Sequence, residues 1–181
     1  GAVDMWGDPT YRGNQFLDNY FHDVGSAWNG GTEVKLGQAG IRLDDAISGV
    51  RIAGNRFERC GGGGAGFGAV QIHGGKDNLI ESNLFIRCAS AVSFSAWGAA
   101  RWTNFVAGRL AKPDVDATLY LARYPALLNL LADANRNEVR DNVVHGDALF
   151  RRPPPALVQA GNQLLTNGTP PAARAKDYGP R

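Results

Sequence analysis

A short pattern recurs along this chain and limits what it can fold into. Asn, any residue, an apolar residue, two more residues and a second Asn occur at Asn14-Gln-Phe16-Leu-Asp-Asn19, Asn78-Leu-Ile80-Glu-Ser-Asn83, Asn137-Glu-Val139-Arg-Asp-Asn142 and Asn162-Gln-Leu164-Leu-Thr-Asn167. Val50-Arg-Ile52-Ala-Gly-Asn55 is a copy that lacks the first Asn. Two places after the second Asn comes another apolar residue in most copies: Phe21, Phe57, Phe85 and Val144. The tightest spacing of the second Asn, from 142 to 167, sets a unit of about 25 residues. Repeats of that length bury a core only by stacking on one another.

A second stretch recurs in each unit. Val3-Asp4-Met5, Ile41-Arg42-Leu43, Val70-Gln71-Ile72 and Val92-Ser93-Phe94 alternate apolar and polar residues, with the period of a half-buried strand. Very short strands turned by Gly and Asn predict an all-β fold. The form expected is a right-handed parallel β-helix, a pectate-lyase-like solenoid of about five coils, forming one domain over residues 1–181. A left-handed β-helix prefers a strict hexapeptide, and a leucine-rich repeat needs far more Leu at fixed offsets. Neither pattern is present. In a stack the recurring Asn has a structural job: it tolerates left-handed backbone at a bend and its amide bonds the Asn above and below. Asn19, Asn55, Asn83, Asn142 and Asn167 are read as this ladder.

Net charge is +2 with Lys and Arg scattered, which excludes a strongly basic surface for nucleic acid or membrane. No apolar run approaches the ~20 residues of a membrane span. Cys60 and Cys88 each lie five residues after a ladder Asn. They read as stacked, buried small side chains, or alternatively as a disulfide. Their spacing suits no metal motif, and no cofactor is expected. The first residues carry neither an initiator Met nor a leader. That start is expected of a C-terminal fragment whose N-terminal coils would be partners of the present ones.

Residues 96–135 break the repeat. Asp116 to Tyr124 has helical spacing, and Leu127, Leu128, Leu130 and Leu131 form an apolar stripe behind Pro125, a residue favoured at the first helical position. A loop with one or two short helices is expected, either as a lid on the flank or as one wall of a cleft. Trp97, Arg101 and Trp102 open it. Exposed Trp would stack on sugar rings; a buried Trp pair would anchor the insertion.

Alternation fixes what faces outward. Asp4, Arg42, Gln71 and Ser93 form one expected row, with Trp6, Asp44, His73 and Ser95 beside it and Asp45 at the bend. Neighbours in a row sit one strand spacing apart, so Asp4 is expected to pair with Arg42 and Asp44 with His73. Carboxylates, an imidazole, an aromatic ring and an Arg on one face suit a polysaccharide groove, where carboxylates do acid/base work. Asp44 and Asp45 are the leading catalytic candidates, with Asp8 in Gly-Asp-Pro behind them. Asp45 also fits a turn cap, and Asp8 a turn. His73, Arg42, Trp6, Asp4, Gln71, Arg12, His22 and Trp97 are the candidate substrate contacts. Arg12 would pair with Asp8 or touch substrate, and His22 is either a site residue or an ordinary surface His. The Gly61–Gly64 run reads as a flexible loop; it lacks the strand–loop–helix context of a phosphate loop.

Gly7-Asp-Pro-Thr-Tyr-Arg-Gly-Asn14, Gly40-Ile-Arg-Leu-Asp-Asp45, His73-Gly-Gly-Lys-Asp-Asn78 and Arg123-Tyr-Pro-Ala-Leu-Leu-Asn-Leu-Leu131 resemble bacterial secreted right-handed parallel β-helix proteins. Among these the chain resembles glycoside hydrolase family 141, which holds α-L-fucosidase and xylanase activities. The resemblance implies a secreted or periplasmic protein acting on a polysaccharide or oligosaccharide. Aspartates on the β-helix face are the catalytic groups it implies, which places that role on Asp44 and Asp45 and more weakly on Asp8. The chain departs from the family in length and in carrying Arg42 where an aromatic residue usually precedes Leu-Asp-Asp. Three functions follow as expectations: a glycoside hydrolase, a polysaccharide lyase on a uronate polymer that could use Ca²⁺, and a non-catalytic glycan-binding β-helix. The scaffold alone does not choose among them.

Overall fold

The computed structural model describes residues 1–7, 10–29, 32–35, 38–62, 66–125 and 136–172. Three parallel sheets of five strands each carry the fold. The chain runs through them in a fixed order and does so five times. The first circuit is β1 (Val3–Met5), β2 (Gln15–Leu17) and β3 (Tyr20–His22), followed by an antiparallel hairpin of β4 (Ser26–Asn29) and β5 (Thr32–Lys35). The second is β6 (Ile41–Leu43), β7 (Arg51–Ala53) and β8 (Arg56–Glu58). The third is β9 (Val70–His73), β10 (Leu79–Glu81) and β11 (Leu84–Ile86). The fourth starts with β12 (Val92–Ser95), leaves through helices α1 (Ala99–Leu110) and α2 (Ala117–Arg123), and returns as β13 (Glu138–Arg140) and β14 (Val143–His145). The fifth is β15 (Phe150–Arg151), β16 (Val158–Ala160) and β17 (Gln163–Leu165). Sheet one is thus β1-β6-β9-β12-β15, sheet two β2-β7-β10-β13-β16 and sheet three β3-β8-β11-β14-β17.

Register follows the repeats. Phe21 pairs with Phe57, Phe57 with Phe85 and Phe85 with Val144. The three Phe rings stack at 5.0 Å between neighbours, nearly parallel, an arrangement that adds to their burial. Ile41, Val70 and Val92 line up on sheet one, and Ile52, Ile80 and Val139 on sheet two. All are buried in one apolar core.

The corner between sheets two and three carries the ladder. Asn19 and Asn55 donate Nδ2 to Oδ1 of the next Asn at 3.0 Å, and so on through Asn83 and Asn142. Each of these side-chain oxygens also takes a backbone N–H from the preceding Asn, as at Asn55 N to Asn83 Oδ1, 2.9 Å. The last rung differs from expectation. Asn142 donates to Asn162 at 2.9 Å, Gln163 pairs with Val143, and Asn167 lies exposed beyond the ladder. The closest ladder spacing is therefore 20 residues, not about 25. The left-handed residue also differs. It is the one before each ladder Asn: Asp18 (φ 55°), Gly54 (67°), Ser82 (53°), Asp141 (54°) and Gly161 (62°). The Asn stays in ordinary geometry, which leaves its side chain free to bond along the stack.

Cys60 and Cys88 are buried, free thiols. Each donates to a carbonyl of the preceding circuit, Phe21 O and Phe57 O, both at 3.6 Å. Hydrogen bonding with Cys88, together with burial, pushes the Cys60 thiol up.

Helix α1 docks by Trp102 and Val106, one turn apart and fully buried with Ala46. Asp116 caps α2, its carboxylate accepting the Leu119 N–H at 2.9 Å, as an N-cap acid does. The Leu127–Leu131 stripe lies outside the described residues. Among the described residues no helix is long and apolar enough to cross a membrane.

Candidate active site

Strand β6 ends where the chain turns sharply. Asp45 and Ala46 are both left-handed (φ 45° and 63°), a costly conformation for residues with a Cβ that the surroundings must impose. Here the turn is pinned from both sides. Asp44 N donates to Met5 O at 2.8 Å, and Ala46 N to His73 O at 2.9 Å. The buried Ala46 methyl meets Trp102 of α1. First, second and third circuits and the insertion therefore all fix the Asp44–Asp45 segment.

The side chains form a connected set. His73 Nδ1 lies 2.5 Å from Asp44 Oδ1 and 3.9 Å from Asp45 Oδ1. Asp44 Oδ2 pairs with Arg42 Nη2. Arg42 Nη1 reaches Asp4 Oδ2 at 3.4 Å. Both Asp44 oxygens are thus occupied, and its side chain is 11 % exposed, against 26 % for Asp45 and 27 % for His73. Asp45 and the imidazole are the groups open to a ligand; Asp44 stands behind them.

Aromatic rings flank this set. Trp6 is 68 % exposed, the residue after β1. Tyr11, 51 % exposed, covers Gly7 so closely that a Cβ there would meet its ring at 2.2 Å. Trp6 directly follows Met5, which pairs with Leu43 just before Asp44. Tyr11 was not among the sequence candidates, although it sits directly before Arg12. On the other flank the Trp97 ring meets the His73 ring edge-on at 5.4 Å and Phe105 at 5.1 Å. Arg101 lies over the same indole at 3.7 Å, and Gly74 is pressed against it. Trp97 is a fixed wall rather than an open stacking plate, and Trp102 is the anchor of the insertion.

Three sequence candidates stand apart from this set: Gln71, Arg12 and His22. Gln71 is buried, as is Ser93, although alternation aims both outward. The segment Gly66–Gly68 folds over that row: Gly68 N donates to Ser93 Oγ at 2.6 Å, Arg42 lies 5.6 Å over Phe67, and Arg151 sits against Gly66. Arg12 turns inward over Gly49 and pairs with Asp77 at 2.8 Å. Burial raises the Asp77 carboxyl against the pull of Arg12. His22 is exposed on sheet three, 2.8 Å from Asp23, away from the site on sheet one. Asp8 lies outside the described residues.

Asp44, Asp45 and His73 offer three metal-ligand atoms within 4.8 Å of one another. Calcium takes about six to eight oxygens. This set has two carboxylates, one held by Arg42, and a nitrogen, so it does not fit calcium.

No family model, no curated protein and no solved structure matches the chain.

Proposed function

We propose that the chain is a right-handed parallel β-helix and that it hydrolyses glycosidic bonds of a polysaccharide outside the cytoplasm, as its resemblance to glycoside hydrolase family 141 implies. Five passes through three parallel sheets and an unbroken Asn ladder support the fold reading. One observation carries the chemistry: Asp44 is bound on one oxygen by His73 Nδ1 and on the other by Arg42, with Asp45 and the far edge of the imidazole left open.

On this reading each group has a role. The Asp44 carboxylate keeps a proton on Nδ1 and turns Nε2 toward the groove. His73 gives its Nε2 proton to the leaving glycosidic oxygen while the Asp45 carboxylate attacks the anomeric carbon, because the 3.9 Å between the two groups leaves no room for the water of a direct displacement. Water then cleaves the glycosyl–Asp45 ester and returns a proton to His73 Nε2, so bonds and protons balance. Trp6 and Tyr11 offer apolar faces for neighbouring sugar rings.

Charge favours a neutral sugar at the point of cleavage. The Arg42 guanidinium already lies between the Asp4 and Asp44 carboxylates, and Asp45 beside His73 adds a third negative charge. A lyase needs a cation for the uronate carboxylate at the reacting residue, which these contacts do not spare.

A panel of polysaccharides tests this reading, comparing the protein with Asp45→Asn and His73→Gln. Reducing-sugar release should fall by about 10²-fold or more in each, as for loss of a nucleophile or a general acid, with melting temperature unchanged. Full activity in both variants refutes the assignment. An ultraviolet-absorbing unsaturated product points to the lyase, and binding without product to a glycan-binding module.

A further inference from the structure

The wall between sheets one and two has a gap at the fourth circuit. The chain leaves there at Ala96 and returns at Arg136, whose carbonyl accepts the Asp77 N–H at 3.1 Å. The inward column Met5–Leu43–Ile72–Phe94 also stops there, because β15 pairs with β12 only through Phe150 and Arg151. A cavity of about 280 Å³ results, just below the roughly 300 Å³ at which pockets for drug-sized ligands begin. It suits one ring.

Its lining is of two kinds. Ile72, Phe94 and Pro154 are apolar, whereas Lys76 and Arg136 are cationic. Among the described residues no carboxylate lines it. Trp97 also lines it, and among the described residues its buried indole N–H has no hydrogen-bond partner. A buried donor without an acceptor is costly, and a ligand oxygen would relieve it. Trp97 is at the same time the ring that touches His73, so a single side chain separates this cavity from the Asp45–His73 pair.

We propose that the cavity binds the ring of a uronic acid. The C–H face of the pyranose lies on Pro154, over the floor closed by the buried Ile72 and Phe94, the carboxylate meets Lys76 and Arg136, and a ring or hydroxyl oxygen accepts the Trp97 N–H. As a substrate subsite this rests on the hydrolase reading, and it names the substrate class: an acidic heteroglycan cleaved at a neutral residue beside a uronate. As a binding site it stands on the cavity alone.

Titration of the ¹⁵N-labelled protein with D-glucuronate and D-galacturonate tests it, with D-glucose and D-galactose as controls. The Trp97 indole resonance, identified by its loss in Trp97→Phe, should move saturably with a uronate. The matching hexose should bind about ten-fold more weakly, lacking the charge-assisted contacts. Arg136→Gln should bring the uronate to the hexose level. Absence of a saturable shift, equal binding of acid and hexose, or an unchanged Arg136→Gln variant overturns the proposal. Asp45→Asn separates the two readings: it should abolish turnover and leave the uronate shift intact. A wild-type protein that binds uronate and cleaves no glycan keeps the site and loses the hydrolase. One that cleaves glycans without a uronate shift does the reverse.

Discussion

Asp44 and His73 meet at 2.5 Å although 29 residues separate them in the chain. Stacking of β6 on β9 makes that contact, through pairing of Leu43 with Ile72. Asp44 is therefore a positioning residue, and Asp44→Asn should show it. The amide keeps an acceptor for Nδ1–H and removes the charge. We expect turnover to fall about 10²-fold or more with little change in KM. Imidazole ¹⁵N shifts should change from one tautomer to a mixture. An unchanged tautomer would remove this role from Asp44.

The Asn ladder should weaken toward its end. Asn83 Oδ1 accepts both the N–H and the amide of Asn55, and its Nδ2 donates to Asn142 and to Ile52 O. Asn83→Ala strands several buried groups and should cost about 3 kcal/mol. Asn162→Ala, at the more exposed last rung, should cost about 1 kcal/mol. Urea denaturation measures both, and equal losses would contradict the gradient.

Acid stability should depend on Glu81. Arg51 holds one of its oxygens at 2.7 Å and Arg140 the other at 2.8 Å. The Arg51 hydrogen bond holds the carboxyl below its ordinary value near 4.5, burial opposing and Arg140 adding to it. The folded state then binds this proton less readily than the unfolded one. The contribution is complete above about pH 4.5 and disappears as pH falls through the lowered folded value. Glu81→Gln should lower the melting temperature at neutral pH and flatten its fall in acid. An acid limb as steep as wild type would remove Glu81 from the explanation.

Chelation should leave turnover unchanged within about two-fold. The proposed steps use only Asp45, His73 and water. Loss of product with a chelator, restored by a divalent ion, would replace that scheme with metal chemistry at the Asp44, Asp45 and His73 ligand atoms.

Much of the frame was legible because it is periodic. Phe21, Phe57 and Phe85 stand in one column, and Asp4–Arg42 and Asp44–His73 are pairs, all by counting alternate residues. The last circuit misled because Asn162 and Asn167 both satisfy the pattern, and only strand register separates them. Burial of Gln71 was not legible: alternation describes one strand, and the cover comes from Gly66–Gly68 folding back over it. Arg12 finds Asp77 across 65 residues, a contact no local motif announces. His22 and Asp44 share an outward orientation and different sheets, so facing solvent was too weak a criterion for membership of one site.

The excursion between Ser95 and Glu138 leaves the register on either side untouched: Val92 still meets Val70, and Leu79 still meets Glu138. Neighbouring strands alone dictate where that segment departs and lands. Strand register therefore tolerates changes in its length, and the slot behaves as a socket. A descendant or an engineer can exchange what is plugged in there, and with it the ligand preference of the adjoining surface, provided a side chain still fills the place of Trp102 against Ala46.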